Sequence, residues 1–198
     1  MKKQQKIQFI LLSVGIILFV LTYFYYPSIQ KKKLLVEKKV ENIEKKIING
    51  IETDEYTSFE NIEYEGLYDF NKPFKVRSKK AYTLNSDPDI VYMNNMHVIM
   101  YLNDGRVVNI TSDKGNYNKV NYDCYFEQNV KATDGSAKIF AQNLDLLATN
   151  NSAEIYNDVN FEYPMGSLQA DKIDYNFETK SFKVSMFQDK LVKMKVIK

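Results

Sequence analysis

The sequence predicts a mainly β fold of antiparallel strands, carried behind one N-terminal transmembrane helix. Three observations predict it. From about Asn61 onward apolar and polar side chains alternate with period two. A turn followed by a small residue recurs along the same stretch. Near the start lies a run of 20 residues without a charge, Ile7 to Tyr26.

The apolar run comes first. At about 1.5 Å per residue a helix of that length spans about 30 Å, the hydrocarbon thickness of a bilayer. Its polar members are only Gln8, Ser13 and Thr22; Tyr23, Tyr25 and Tyr26 gather at one end, as interfacial aromatics do, and Pro27 ends the helix. A cleaved signal peptide is the rival: Lys2, Lys3 and Lys6 precede the run. The run is too long for one, however, and no Ala-x-Ala-like site follows it. The reading is an uncleaved anchor within residues 1–30.

Residues 31–58 read as a charged stalk. Val36, Val40, Ile43 and Ile47 recur at helical spacing, Glu41 precedes Lys45 by one turn, and Asn49-Gly50 is a helix stop. A helix lying on the lipid surface fits the same pattern.

Residues 59–198 read as the outer domain. Val98, Met100 and Leu102 alternate with His97, Ile99 and Tyr101. Phe126, Val130 and Ala132 oppose Glu127, Asn129 and Lys131; Val159, Phe161 and Tyr163 oppose Asp158, Asn160 and Glu162. Such half-buried strands, many in succession without a helix pattern between them, are antiparallel. Asn103-Asp104-Gly105 and Asp134-Gly135 are hairpin turns, and Pro164-Met165-Gly166 is a looser one.

Alignment of the turns exposes the repeat. Its instances centre on Ser78, Ser112, Ala141 and Ala170, with Val98, Val130 or Val159 upstream of the last three. Each unit reads as a hairpin of two longish strands plus a connecting strand, unable to bury its own face. Stacked units make two facing layers around an apolar interior. A small residue on the inward face is expected to leave a gap there.

Composition excludes several functions. Among 198 residues there are one Cys and one His, so neither an internal disulfide nor a Cys/His zinc site can form, and His-based acid–base chemistry has little material. No nucleophile–base pair is visible, so no enzyme, cofactor or metal is expected. Net charge is +2, but residues 1–50 hold ten Lys and three Glu, leaving 17 basic and 22 acidic groups on the rest. A nucleic-acid binder would carry its positive charge on the folded domain, so no nucleic-acid partner is expected; cations flanking an apolar run point to a membrane.

The repeat segments Ile110-Thr-Ser-Asp-Lys-Gly-Asn-Tyr117 and Gly166-Ser-Leu-Gln-Ala-Asp-Lys-Ile-Asp-Tyr175, with Asn129-Val130, Asp158-Val159, Phe74–Tyr82 and Pro88–Val91, resemble the LptC family of the lipopolysaccharide-transport system. Relatives that share the repeat resemble signal-peptide proteins; the anchor selects this family. The resemblance implies a twisted, open β-jelly roll in the periplasm, single-pass in the inner membrane. It implies as partners lipopolysaccharide, an inner-membrane ABC transporter and a soluble periplasmic bridge. It also places the N-terminus in the cytoplasm, whereas Lys31–Lys33 and the lysines beyond would on charge alone favour the reverse. The resemblance is followed here, because positive-inside is a bias.

A lipid cargo needs a continuous apolar groove, since each methylene moved into water costs about 0.8 kcal/mol. Val76, Met100, Ile110, Phe126, Ile139, Phe161, Leu168 and Met186 are the candidate lining; each fits an ordinary core as well. Leu191, Val192, Met194 and Val196 alternate with lysines in the last strand and are the candidate edge for pairing with the bridge; edge lysines equally suit protection against aggregation. A membrane-anchored scaffold or glycan-binding module is the alternative, using Tyr101, Tyr122 and Tyr156. His97 is expected exposed and Cys124 semi-buried. Asp113, Asp145, Asp171 and Asp174 are expected to lie apart.

Overall fold

The computed structural model describes residues 38, 40–43, 45, 55–68, 72–102, 105–187 and 191–196. The chain divides into two compact units, Met1–Thr53 and Asp54–Lys198. The expected anchor, Ile7–Tyr26, lies outside the described residues, as does most of the stalk. Among the described residues no helix is long and apolar enough to cross a membrane. In the first unit, residues 38, 40–43 and 45 are helical. Ile43 is buried there and Val40 half-buried, and the Lys45 ammonium lies 2.7 Å from Glu41, the ion pair that the i, i+4 spacing predicts.

The second unit is one antiparallel sheet of ten strands. They are β1 (Tyr56–Tyr68), β2 (Lys72–Leu84), β3 (Asp87–Tyr101), β4 (Val107–Asn118), β5 (Cys124–Asp134), β6 (Ala137–Leu147), β7 (Ser152–Tyr163), β8 (Gly166–Asn176), β9 (Ser181–Ser185) and β10 (Lys193–Val196). β1 starts inside the stretch expected to be stalk. The strands follow chain order to β8, whose outer edge is shared: β9 pairs with Lys172–Asn176 and β10 with Gly166–Gln169. Gly105 and Gly135 have φ of 84° and 58° in their turns, which a residue with a Cβ rarely adopts.

Every strand from β1 to β8 is interrupted near its middle, and the interruptions line up as a crease across the sheet. The odd strands bend through left-handed residues: Asn61, Asn95, Gln128 with Asn129, and Asn157 with Asp158. Asn and Asp tolerate that conformation because short polar side chains bond locally. Asn129 donates to Asp113 at 2.6 Å, and Asn157 to Asn143 at 2.8 Å. Register shifts in the pairings of β4 with β5, β5 with β6, β6 with β7 and β7 with β8 fall on the same line.

The even strands put their small residues on the crease: Ser78, Ser112, Ala141 and Ala170, all buried. They leave no opening. Met96 stands opposite Ser112, Val130 opposite Ala141 and Val159 opposite Ala170, each at most 2% exposed. Large and small residues alternate along the fold line, which lets the sheet close on itself. Register therefore makes Met96, and not Val98, the counterpart of Val130 and Val159. Ser78 Oγ lies 2.7 Å from Lys80 O and 2.8 Å from Asn94 O, while Ser112 Oγ donates to Lys114 O at 2.7 Å.

Folding along the crease brings two half-sheets face to face. Phe74 and Tyr64 of one half meet Tyr117 of the other, with ring centres 6.3 and 5.5 Å apart. Both halves feed a single buried cluster.

Candidate functional site

One inward row crosses the first half-sheet through nine strands. Tyr64, Val76, Val98, Ile110, Ala132, Ile139, Phe161, Leu168 and Met194 are successive cross-strand partners. The facing row runs Ala81, Met93, Gly115, Phe126, Leu144, Ile155, Ile173 and Val184. Between them lies a continuous apolar interior along the sheet.

Its closure changes along its length. Val76, Val98 and Phe126 are fully enclosed; Ile139, Phe161, Val184 and Met186 are half-buried against the core. Met194, last in the first row, is 69% exposed. The interior is sealed across β2–β5, is partly open at Ile139 and Phe161, is closed again at Leu168 and Ile173 of β8 by the strands that share its edge, and ends exposed on β10, which has no further neighbour to cover it.

Of the eight candidate lining residues, Val76, Met100, Ile110, Phe126 and Leu168 are core; Ile139, Phe161 and Met186 reach the surface. Val76, Ile110, Ile139, Phe161 and Leu168 share one row, Phe126 belongs to the facing row, and Met186 follows β9. Leu191, Val192, Met194 and Val196 are all exposed beside or within β10. Met165 precedes Gly166, the partner of Val196, Phe187 follows β9, and Phe182 stands opposite Tyr175; all three are exposed.

A second cleft, of about 250 Å3 including its opening to solvent, is lined by Phe74, Val98, Met100, Tyr122, Cys124 and Leu146. It sits at the rim where the half-sheets meet, with Tyr122 against Phe74 at 5.8 Å. Cys124 is fully buried there, and burial pushes its thiol pKa up, away from the reactive thiolate.

The remaining candidates lie apart. His97 is half-buried, not exposed, with Nε2 3.2 Å from Asn109 Oδ1, because its strand is covered on both sides by neighbours. Asp113 accepts from Asn129, Asp171 from the Phe187 backbone at 2.7 Å, and Asp174 pairs with Lys172 at 2.8 Å. Asp145 accepts the Tyr156 hydroxyl at 3.3 Å; burial raises its pKa, and the same surroundings push Tyr156 up to about 12. Tyr101 and Tyr122 are exposed and Tyr156 half-buried, on separate strands and turns. Among the described residues no three His, Cys, Asp or Glu side chains are grouped to hold a metal.

Three comparisons bear on this architecture. The family model for lipopolysaccharide-assembly, LptC-related proteins matches residues 16–186. Among solved structures, LptH from Pseudomonas aeruginosa, the LptA-homologous periplasmic component of the lipopolysaccharide transport device, aligns at a TM-score of 0.50 with 10% identity, over 64% of this chain and 96% of that one. That likeness identifies the second unit as an open, jelly-roll-like antiparallel fold. A comparison with curated proteins finds no match.

Proposed function

The chain belongs to the LptC-related family of lipopolysaccharide-assembly proteins and has a role in lipopolysaccharide transport; from that premise we propose that it receives lipopolysaccharide from an inner-membrane ABC transporter and hands it to a soluble periplasmic bridge. The apolar interior would carry the acyl chains. Each chain of about a dozen methylenes resists entry into water by about 10 kcal/mol, so the path must stay dry. The observation that carries the reading is the inward row from Tyr64 to Met194, in which Ile139 and Phe161 are only half-buried and the last member is exposed. A closed core would be sealed at both ends; this one ends on exposed apolar side chains where another sheet can continue it.

Within this proposal Ile7–Tyr26 is a single uncleaved anchor, residues 31–58 carry the domain off the inner membrane, and the β unit works in the periplasm. The protein acts by binding and release, with no covalent step. β10, with Leu191 and Val192 before it, is the edge offered to the bridge.

Photo-crosslinking in cells from Ile139 and Phe161 tests the groove. Lipopolysaccharide is expected on both, and none from Tyr101 on the outside. Ile139→Glu is expected to fold, because its charge reaches water, yet to abolish the crosslink at Phe161. Undiminished crosslinking there would overturn the groove.

A further inference from the structure

The side of the β unit opposite the crease carries a closure of its own. Two inward rows out from the crease, β2 and β3 of the first half-sheet carry Phe74 and Met100, which are cross-strand partners. At the same remove in the second half, Tyr117, Cys124 and Leu146 are partners on β4, β5 and β6. These two lips meet at the apolar cleft. Tyr122, from the turn between β4 and β5, lies across it against Phe74, with ring centres 5.8 Å apart.

Tyr122 is held there against the preference of its own backbone. Its φ is 65°, in the left-handed region that a bulky side chain seldom adopts. A polar scaffold fixes the turn: Tyr122 N donates to Asn118 O at 2.9 Å, Asn118 N to Asp123 O at 3.0 Å, and Asp123 N to Asn121 Oδ1 at 3.0 Å. Asp123 is buried, and its carboxylate accepts from Thr149 N at 3.2 Å and from Asn121 Nδ2 at 3.0 Å. Asn or Gly would suit this backbone with less strain, so the fold of the turn does not account for a tyrosine. Strain of this kind, held in place by its surroundings, marks functional positions.

The ring covers apolar side chains while staying exposed itself. Tyr122 is 44% exposed, whereas Phe74, Met100, Cys124 and Leu146, which line the cleft with it, are at most 6% exposed. The opposite lip is fixed by close approach. Phe74 stands opposite Gly66, where an added Cβ would collide with its ring, and it meets Tyr117 edge-on at 6.3 Å. One lip is thus packed into the core, and the other ends in a single ring on an exposed turn. The turn is the part that can swing.

We infer that Tyr122 is a latch on the seam between the half-sheets: closed on Phe74 it keeps the apolar interior dry, and swung out it passes a saturated acyl chain sideways, past Met100 and Leu146. This rests on the handover reading above and adds to it the residue that controls passage across the seam. The lining under the ring is apolar save the Cys124 thiol, which donates to Tyr122 O at 3.8 Å. Val98 belongs both to this cleft and to the inward row, so the two spaces are continuous. A methylene chain is the ligand that forfeits no hydrogen bond on entering such a site. A single aromatic pair is a low barrier, as a closure that opens at each passage requires.

The test follows fluorescently labelled lipopolysaccharide binding to the full chain in detergent. A latch sets rates and leaves the equilibrium nearly alone. Tyr122→Asn suits the left-handed backbone and removes the ring; it should speed association and release alike by about fivefold, with affinity held within about twofold. Phe74→Leu removes the same ring pair from the other lip. It should move both rates in the same direction, and it decides the matter if Tyr122→Asn fails to fold. Tyr101→Asn, at an exposed tyrosine on the outer face, should change neither rate. Faster release with unchanged association would make Tyr122 a contact of the cargo and overturn the latch. Unchanged rates in both seam variants would also overturn it, with the groove left standing. No saturable binding by the wild-type chain, together with no crosslink at Phe161, would overturn the groove reading and the latch with it.

Discussion

Asp145 shows how a half-buried residue sets a local pH dependence. Burial raises its pKa above the ordinary 3.8, and the Tyr156 hydroxyl only partly compensates. An acid whose folded pKa is raised destabilises the fold once ionised. That penalty is complete above the folded pKa and absent below the unfolded value. Asp145→Asn keeps an acceptor for Tyr156 and removes the charge. Its melting temperature should exceed the wild type's at pH 7, the gain disappearing below about pH 3; thermal melts across pH check this, and a constant gain would contradict it. Leu168 makes the contrasting case. It is 7% exposed and covered by β10, so Leu168→Glu buries an unpaired charge and should cost about 3 kcal/mol or more, read by denaturant unfolding. Ile139, two strands inward along the same row but half-buried, should tolerate the same change, and equal losses at both sites would contradict the partial exposure of Ile139.

At the scale of elements, β10 stands apart from the rest of the sheet. It has four residue pairs with β8, and all four of its side chains are exposed. Its fit depends on Gly166, where an added Cβ would collide with the carbonyl oxygen of Lys195. Gly166 has no left-handed backbone, unlike Gly105 and Gly135; it is small because a strand approaches it closely. Gly166→Ala should therefore detach β10 while leaving β1–β9 intact. Deleting residues 190–198 should do the same: a loss of about 1–2 kcal/mol in stability, with pull-down of the bridge largely lost and lipid binding kept. Retained pull-down in either variant would remove β10 from the proposed handover and leave the opposite edge, at β1, as the candidate.

For the whole molecule, the proposed topology makes a prediction about the first thirty residues. The mature protein should retain Met1 or Lys2 and fractionate with the inner membrane, and the β unit should be accessible to protease from the periplasmic side. Mass spectrometry showing a start after Tyr26 would overturn the anchor. In the β unit the crease is the organising device. It turns one flat succession of hairpins into two facing half-sheets with one apolar interior.

Much of this was legible in the residues themselves. Period-two alternation has a local cause, the opposite directions of successive side chains along a strand, so the strands containing Val98, Phe126 and Val159 could be read directly. The turn glycines at 105 and 135 and the Glu41–Lys45 pair are likewise local. The recurring small residues and the family resemblance were also visible in the sequence. Tertiary structure alone decided what those small residues do: Ser112, Ala141 and Ala170 meet Met96, Val130 and Val159 across the crease and close the fold instead of opening it. It alone assigned Phe126 and Ile110 to facing rows, and it alone divided β8's outer edge between β9 and β10. The physical reason is that alternation tells which face a side chain takes, whereas the partner it meets depends on register and on where the sheet folds. Both are set by contacts between residues far apart in the chain.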